Sequence, residues 1–169
     1  LLGHEYGRSS SEYMNVVTSG LKNGMQVLNG TKPENIYGTK TDAASWSLFA
    51  QAQYSYKERY FFNGTFRADA SSVFAPKNKV GYFPAGSFAW LISNEDFMKS
   101  QDVVSFLKLR ASYGLTGNSN IGSYKYLDIY GFNEKLQYQG VQGAYPETVA
   151  NPYLHWETAV MRNLGVDIS

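Results

Sequence analysis

Between Tyr60 and Ser71 the chain alternates with a period of two, and nothing else in its 169 residues constrains the fold as strongly. Tyr60, Phe62, Gly64, Phe66, Ala68 and Ala70 share one register. Phe61, Asn63, Thr65, Arg67, Asp69 and Ser71 share the other, which is polar after its first residue. Successive strand residues point to opposite faces, so this is a strand with one apolar and one polar face. A soluble sandwich would turn the apolar face to a core and the polar face to water. An outer-membrane barrel would turn the apolar face to lipid and the polar face to a wet lumen.

The pattern recurs along the chain. Trp46, Leu48, Ala50, Ala52, Tyr54 and Tyr56 alternate against Ser45, Ser47, Gln51, Gln53 and Ser55, with Phe49 the one exception. The stretch KERY, Lys57 to Tyr60, joins this run to the first strand as a hairpin. Pro84, Gly86, Phe88, Trp90 and Ile92 share a face, as do Leu107, Leu109, Ala111, Tyr113 and Leu115. The last run sets Trp156, Thr158, Val160, Leu164, Val166 and Ile168 against Glu157, Asn163, Gly165 and Asp167. Ser93, with Asp96 three residues on, predicts the N-cap of a short helical turn. Leu1 to Tyr6 reads as a strand stub, and the Gly-, Ser- and Asn-rich regions 7–42 and 117–153 as long loops. The expected fold is all-β, with roughly five antiparallel up-and-down strands, each near the ~9–11 residues that cross a membrane at a tilt. Connections that alternate between short and long suit a barrel with turns on one side and loops on the other.

Composition narrows the choice. Charged residues make up 17% of the chain, below the usual quarter of a soluble domain, and aromatics reach 16%. Trp46, Tyr56, Tyr60, Trp90 and Trp156 lie near strand ends, where interface aromatics belong. Mid-strand positions are often small (Ala50, Ala52, Gly64, Gly86, Ala111), where a soluble core would take bulky branched residues. A net charge of +1 gives no basic field for nucleic acid. The absence of cysteine removes disulfides, thiolate metal sites and cysteine nucleophiles. No apolar run reaches the ~20 residues of a membrane helix. The chain starts without Met and ends inside an alternating run, so a fragment of a longer protein is expected.

Several ordered motifs carry a resemblance. Lys57-Glu58-Arg59-Tyr60 closes a tyrosine-rich strand; Arg67, Asp69, Ser71, Ser72 and Phe74 form an R-x-D-x-S-S-x-F segment; Gly81 to Pro84 reads GYFP, with Trp90 following. LKLRASYGLTGN runs from Leu107 to Asn118, N-P-x-L-x-W-E from Asn151 to Glu157, and N-x-G-x-D from Asn163 to Asp167. Over Trp46 to Asp167 the chain resembles the SusC/RagA-type TonB-dependent outer-membrane transporters of Bacteroidetes. Three positions depart from that pattern. Ala70 stands where Gly is usual, and Val73 where a basic residue is common. Arg162 falls in the apolar register, where a mid-bilayer guanidinium costs ~2–4 kcal/mol. It is expected to snorkel near an interface, or to sit beside a bulge that shifts the register.

The resemblance implies part of a large transmembrane barrel of about 22 strands, with residues 1–169 a barrel segment and the plug domain absent. It implies an outer-membrane protein of a Gram-negative bacterium. Such a protein imports oligosaccharides or peptides through TonB, together with a SusD-type surface lipoprotein. No enzymatic activity, catalytic residue, metal or cofactor is expected; His4 and His155 are far apart in sequence. Arg67, Asp69, Lys108 and Arg110 fall on the lumen register, either lining the pathway or plug or forming a charge network in the wall. Tyr124, Tyr126, Tyr130, Phe132 and Tyr138 are candidate contacts for a ligand or partner, or pack on one another. Asp69, Ser71 and Ser72 need no role beyond setting a turn. Asn29 and Asn63 head NGT triplets that carry no glycan in such a membrane. The alternative function is a soluble surface or secreted β-domain that binds glycans.

Overall fold

The computed structural model describes residues 1–24, 26–28, 31–100 and 103–169, with the backbone alone at 133–135. Eight strands follow in order: β1 (Leu2–Ser19), β2 (Lys32–Tyr56), β3 (Tyr60–Ser71), β4 (Val80–Leu91), β5 (Leu107–Asn118), β6 (Ile129–Tyr138), β7 (Val141–Thr148) and β8 (Glu157–Ile168). One sheet runs β1-β2-β3-β4-β5-β8, and β6 pairs with β7 in a separate hairpin.

The pairings from β2 through β3, β4 and β5 to β8 in the large sheet are antiparallel, and their registers place each alternating run face to face. Tyr54 lies opposite Phe62, and Phe62 opposite Phe88; Tyr60 faces Trp90, and Trp90 faces Leu109. On the other face Gln53, Asn63, Ser87, Ser112 and Asn163 form one row across β2, β3, β4, β5 and β8. The period-two pattern is thus realised across the sheet. Its apolar face stays largely open: Tyr54, Phe66, Tyr82, Tyr113, Val166 and Ile168 are all exposed.

Three sequence expectations are corrected. The region 7–42 is not a loop, because β1 and β2 run through most of it. Residues Arg8–Ala43 form a compact unit of their own. Within it the ribbon is tied by Lys40 Nζ to Glu12 at 2.6 Å, Arg8 to Asp42 at 3.9 Å, and an edge-on Tyr13–Tyr37 ring pair. Two-stranded ribbons with both faces wet need no apolar alternation, so this one gave no period. Likewise 117–153 holds the β6–β7 hairpin, whose register shifts between Asn133 and Gln137 break the alternation. The short helical turn is present, as two 3-10 turns, Ile92–Asn94 and Asp96–Met98, but they start from Leu91 and Glu95, so Ser93 is not the cap. Six residues are too few for the capping preference of a helix to decide the start.

The second compact unit, Leu1–Gly7 with Ala44–Ser169, has its small core at the Ser71 end of β3. There the 72–79 loop folds back on the sheet. Phe74 is fully buried, against Trp156 at 5.2 Å between centroids, and Phe83 meets the same indole edge-on at 5.3 Å. Trp156 Nε1 donates to the Lys79 carbonyl at 3.0 Å. Asn78 Nδ2 reaches the carbonyls of Pro152 and Leu154, both at 3.1 Å. Trp156 is therefore not an interface aromatic on the apolar register. It precedes β8, and the alternation of the strand does not govern it. Gly117 belongs to the same packing, because a Cβ there would overlap the Phe83 ring. A Gly117→Val variant is expected to displace Phe83 and loosen the 72–79 loop, seen as faster proteolysis within that loop; an unchanged digestion pattern would contradict this packing.

Candidate functional site: the two faces of the sheet and its turn

The KERY turn is built from left-handed backbone. Lys57 and Glu58 have φ of 49° and 54°, and the Arg59 N–H closes on the Tyr56 carbonyl at 3.0 Å. Consecutive residues of positive φ match the twist of a tight hairpin. The turn throws Arg59 toward the 3-10 segment after β4. Its Nη1 donates to Glu95 at 2.8 Å and its Nη2 to Asp96 at 3.2 Å. Glu95 also accepts from Tyr60 Oη at 2.6 Å and Trp90 Nε1 at 3.0 Å. One nearly buried carboxylate thus ties the turn, the start of β3, the end of β4 and two amphipathic aromatics together. The bonds from Tyr60 and Trp90, then Arg59, hold the Glu95 carboxyl below its ordinary pKa. Lys99 and Arg59 do the same for Asp96.

Sequence reasoning noticed the motif but not its partner. Glu95 lies 36 residues beyond Arg59, and the β3–β4 pairing is what brings the two together. Because the folded-state pKa of Glu95 is depressed, its contribution is fully present above the ordinary carboxylate range and is lost as pH falls through the lowered value. Glu95→Gln in the full-length protein is expected to lower heat stability near neutral pH and to flatten the acid limb of the pH profile. A variant with the same acid limb as the parent would show that another group sets it.

On the apolar face the rings at this end form a continuous band. Tyr56 stacks with Tyr60 at 6.4 Å and Tyr60 with Trp90 at 6.1 Å, while Phe62 meets Phe88 at 5.0 Å. Tyr60 and Trp90 turn their polar tips to Glu95 and their rings outward, as amphipathic aromatics do at a membrane boundary.

The polar face holds the predicted charges in two separate groups. Arg67 Nε donates to both oxygens of Asp69, at 2.7 and 2.9 Å, and Nη2 to Ser47 Oγ at 2.9 Å. Glu5 lies 3.8 Å from the same guanidinium, which also stands over the Phe49 ring. Arg110 pairs with Asp167 at 2.7 Å. Lys108 lies opposite Asp167 in register, but makes no ion pair among the described residues. Arg110 is level with Phe61, six residues along β3 from Arg67, so the groups stand about 20 Å apart. They are not one site. Ser71 Oγ accepts from the Val73 N–H at 3.4 Å and Ser72 Oγ from the Ala44 N–H at 2.8 Å, so these serines shape the loop and strap it to β2. Asn63 accepts from Gln51 Nε2 at 3.1 Å, while Asn29 lies outside the described residues.

Of the aromatic candidates, Tyr124 has φ of 65° in a turn, and Tyr126 is half-buried beside it. Tyr130, Phe132 and Tyr138 lie on β6 rather than in a loop, with 60%, 69% and 77% of their surface exposed. His155 Nδ1 lies 2.9 Å from the Tyr153 carbonyl, and no cluster that could hold a metal occurs among the described residues.

An antiparallel sheet with an aromatic band on an open apolar face and self-paired charges on the other defines part of a transmembrane β-barrel. The model of the family described as TonB dependent receptor-like, beta-barrel matches residues 1–169, and the chain belongs to this family. A TonB-dependent receptor of Formosa agariphila is 39% identical over 148 residues, covering 86% of this chain and 14% of that protein. The TonB-dependent receptor SusC of Bacteroides thetaiotaomicron is 35% identical over 141 residues, 80% of this chain and 14% of its own length. The solved RagAB peptide importer in its closed-closed state superposes with a TM-score of 0.86 at 26% identity, over 99% of this chain and 19% of the importer chain. The chain therefore spans less than a fifth of the relatives it matches.

Proposed function

We propose that this chain is a wall segment of an outer-membrane, TonB-dependent importer of oligosaccharides or peptides, working with a SusD-type surface lipoprotein. The observation that carries the reading is the two-faced sheet: an exposed apolar face with an aromatic band, backed by a polar face whose charges are mostly neutralised in place. A conduit wall needs this division, because it must be wet inside without holding its cargo too tightly. The small share of each relative that is matched supports a barrel completed by other strands and a plug. Within it, Arg67–Asp69 and Arg110–Asp167 form charge pairs of the lumen wall, and Lys108, which makes no ion pair among the described residues, offers the pathway a cation. Tyr130, Phe132 and Tyr138 present rings to a ligand or to the lipoprotein. The protein moves its cargo without making or breaking a bond.

The test is uptake of labelled maltooligosaccharides and labelled oligopeptides by cells with and without the full-length gene. Import of one class that is lost on deletion, and lost again when a protonophore collapses the proton-motive force, supports the proposal. Uptake of both classes unchanged by deletion would overturn it.

A further inference from the structure

The chain has five arginines. Arg8, Arg59, Arg67 and Arg110 each meet a carboxylate, but Arg162 makes no ion pair among the described residues. It is also the arginine on the apolar face. The β5–β8 register runs unbroken from Leu107↔Ile168 to Asn118↔Glu157, so no bulge turns Arg162 away. It stands opposite Tyr113 with its guanidinium 5.9 Å from the ring centroid. Of the two expectations for Arg162 this removes the shifted register, and it leaves on the apolar face a cation with no ion pair among the described residues.

Beside it is a groove of about 850 Å³. Gly64 and Gly86, paired across β3 and β4, and Ala111 form its floor; Phe62, Phe88 and Tyr113 form its walls. A Cβ on Gly64 would meet nothing within 4 Å, so the floor is open and not filled by a neighbour. The groove spans two rows of residues. Arg162 lies in the row nearer the 72–79 loop, and the two phenylalanines lie in the row nearer the Tyr60–Trp90 band.

We propose that this groove binds one phosphorylated glycolipid of the lipid A type, with the phosphate on Arg162 and an acyl chain over Gly64 and Gly86. The proposal rests on the outer-membrane reading above. A planar guanidinium suits the two-oxygen edge of a phosphate, and a floor without side chains suits a flexible chain. Arg162 lies five residues from the start of β8, about 12 Å of depth for a tilted strand, which a snorkelling side chain shortens toward the headgroups. With the cation toward the long loops and the apolar rings beyond it, the lipid enters from the leaflet at the loop end. In an outer membrane that leaflet holds the phosphorylated glycolipid. A second copy of the chain fits less well, because the apolar register of β3, β4, β5 and β8 carries no Asp or Glu to meet Arg162.

The experiment uses the full-length protein, delipidated in detergent, offered lipid A, dephosphorylated lipid A or phosphatidylglycerol, and read by native mass spectrometry. One retained lipid A is expected, weakened about tenfold in Arg162→Leu, the scale of one charge-assisted contact. Arg162→Lys should keep most of the retention. Gly64→Leu, which fills the floor and leaves Arg162 in place, should lose it. Equal retention by the parent and both leucine variants, or equal retention of the dephosphorylated lipid or of phosphatidylglycerol, overturns the proposal. If Arg162→Leu does not assemble, Gly64→Leu decides alone. Heat-modifiable migration on gels reports the barrel separately: a parent without it defeats the outer-membrane reading, whereas a parent with it and no lipid preference defeats only the glycolipid.

Discussion

Phe74→Ala is expected to destabilise the end of the sheet at the 72–79 loop by about 3–5 kcal/mol, the range for truncating a buried phenylalanine. Phe74 is the largest side chain with essentially no exposure, and its ring, with Trp156 and Phe83, roofs the end of β3 and β4. Removing it leaves a cavity, and the loop has little freedom to collapse into it, because the Ser72 hydroxyl accepts from the Ala44 N–H, the Asn78 side-chain amide donates to the Leu154 carbonyl and the Lys79 carbonyl accepts from Trp156 Nε1. In the full-length protein the temperature at which the folded band converts on gels should drop clearly, and a protease should cut near residue 74. Phe97, with 63% of its surface exposed, is the control, and its alanine variant should behave as the parent does. Similar loss from both variants would mean that the loop core contributes nothing special.

The second large effect separates the two faces by a single residue. Leu164 and Asn163 are neighbours on β8, but Leu164 pairs with Ala111 on the apolar face and Asn163 with Ser112 on the polar one. Leu164→Lys is expected to cost about 2–4 kcal/mol near the midplane, less if the position lies toward an interface. Asn163→Lys should be nearly neutral, because it adds a charge to a wet wall. Urea titration of the protein folded in lipid vesicles measures both. Equal penalties would mean that neither face, or both, meets hydrocarbon.

The parts of the fold legible in the sequence were those where one face meets a different solvent from the other. In β3, β5 and β8 the alternation runs almost without exception, and the structure follows it residue by residue. The Arg8–Ala43 ribbon gave no such signal because both its faces carry polar and apolar residues alike. The β6–β7 hairpin hid behind its register shift. At the site, Arg67 and Asp69 were legible as neighbours because they stand two apart on one face. The Arg59–Glu95 tie joins residues 36 apart, and only strand pairing brings them together. Trp156 misled because it sits one residue outside its strand, where alternation has no meaning.

The most direct measurement is the accessibility of spin labels placed one at a time at positions 62 to 67 and 161 to 166 of the full-length protein in bilayers. Lipid-soluble oxygen and a water-soluble nickel chelate compete as relaxants. Even-numbered positions should favour oxygen, while odd-numbered ones should favour the chelate, in step on both strands. Both strands varying together without a period of two, or the opposite phase, would contradict the lipid-facing assignment and with it the barrel wall.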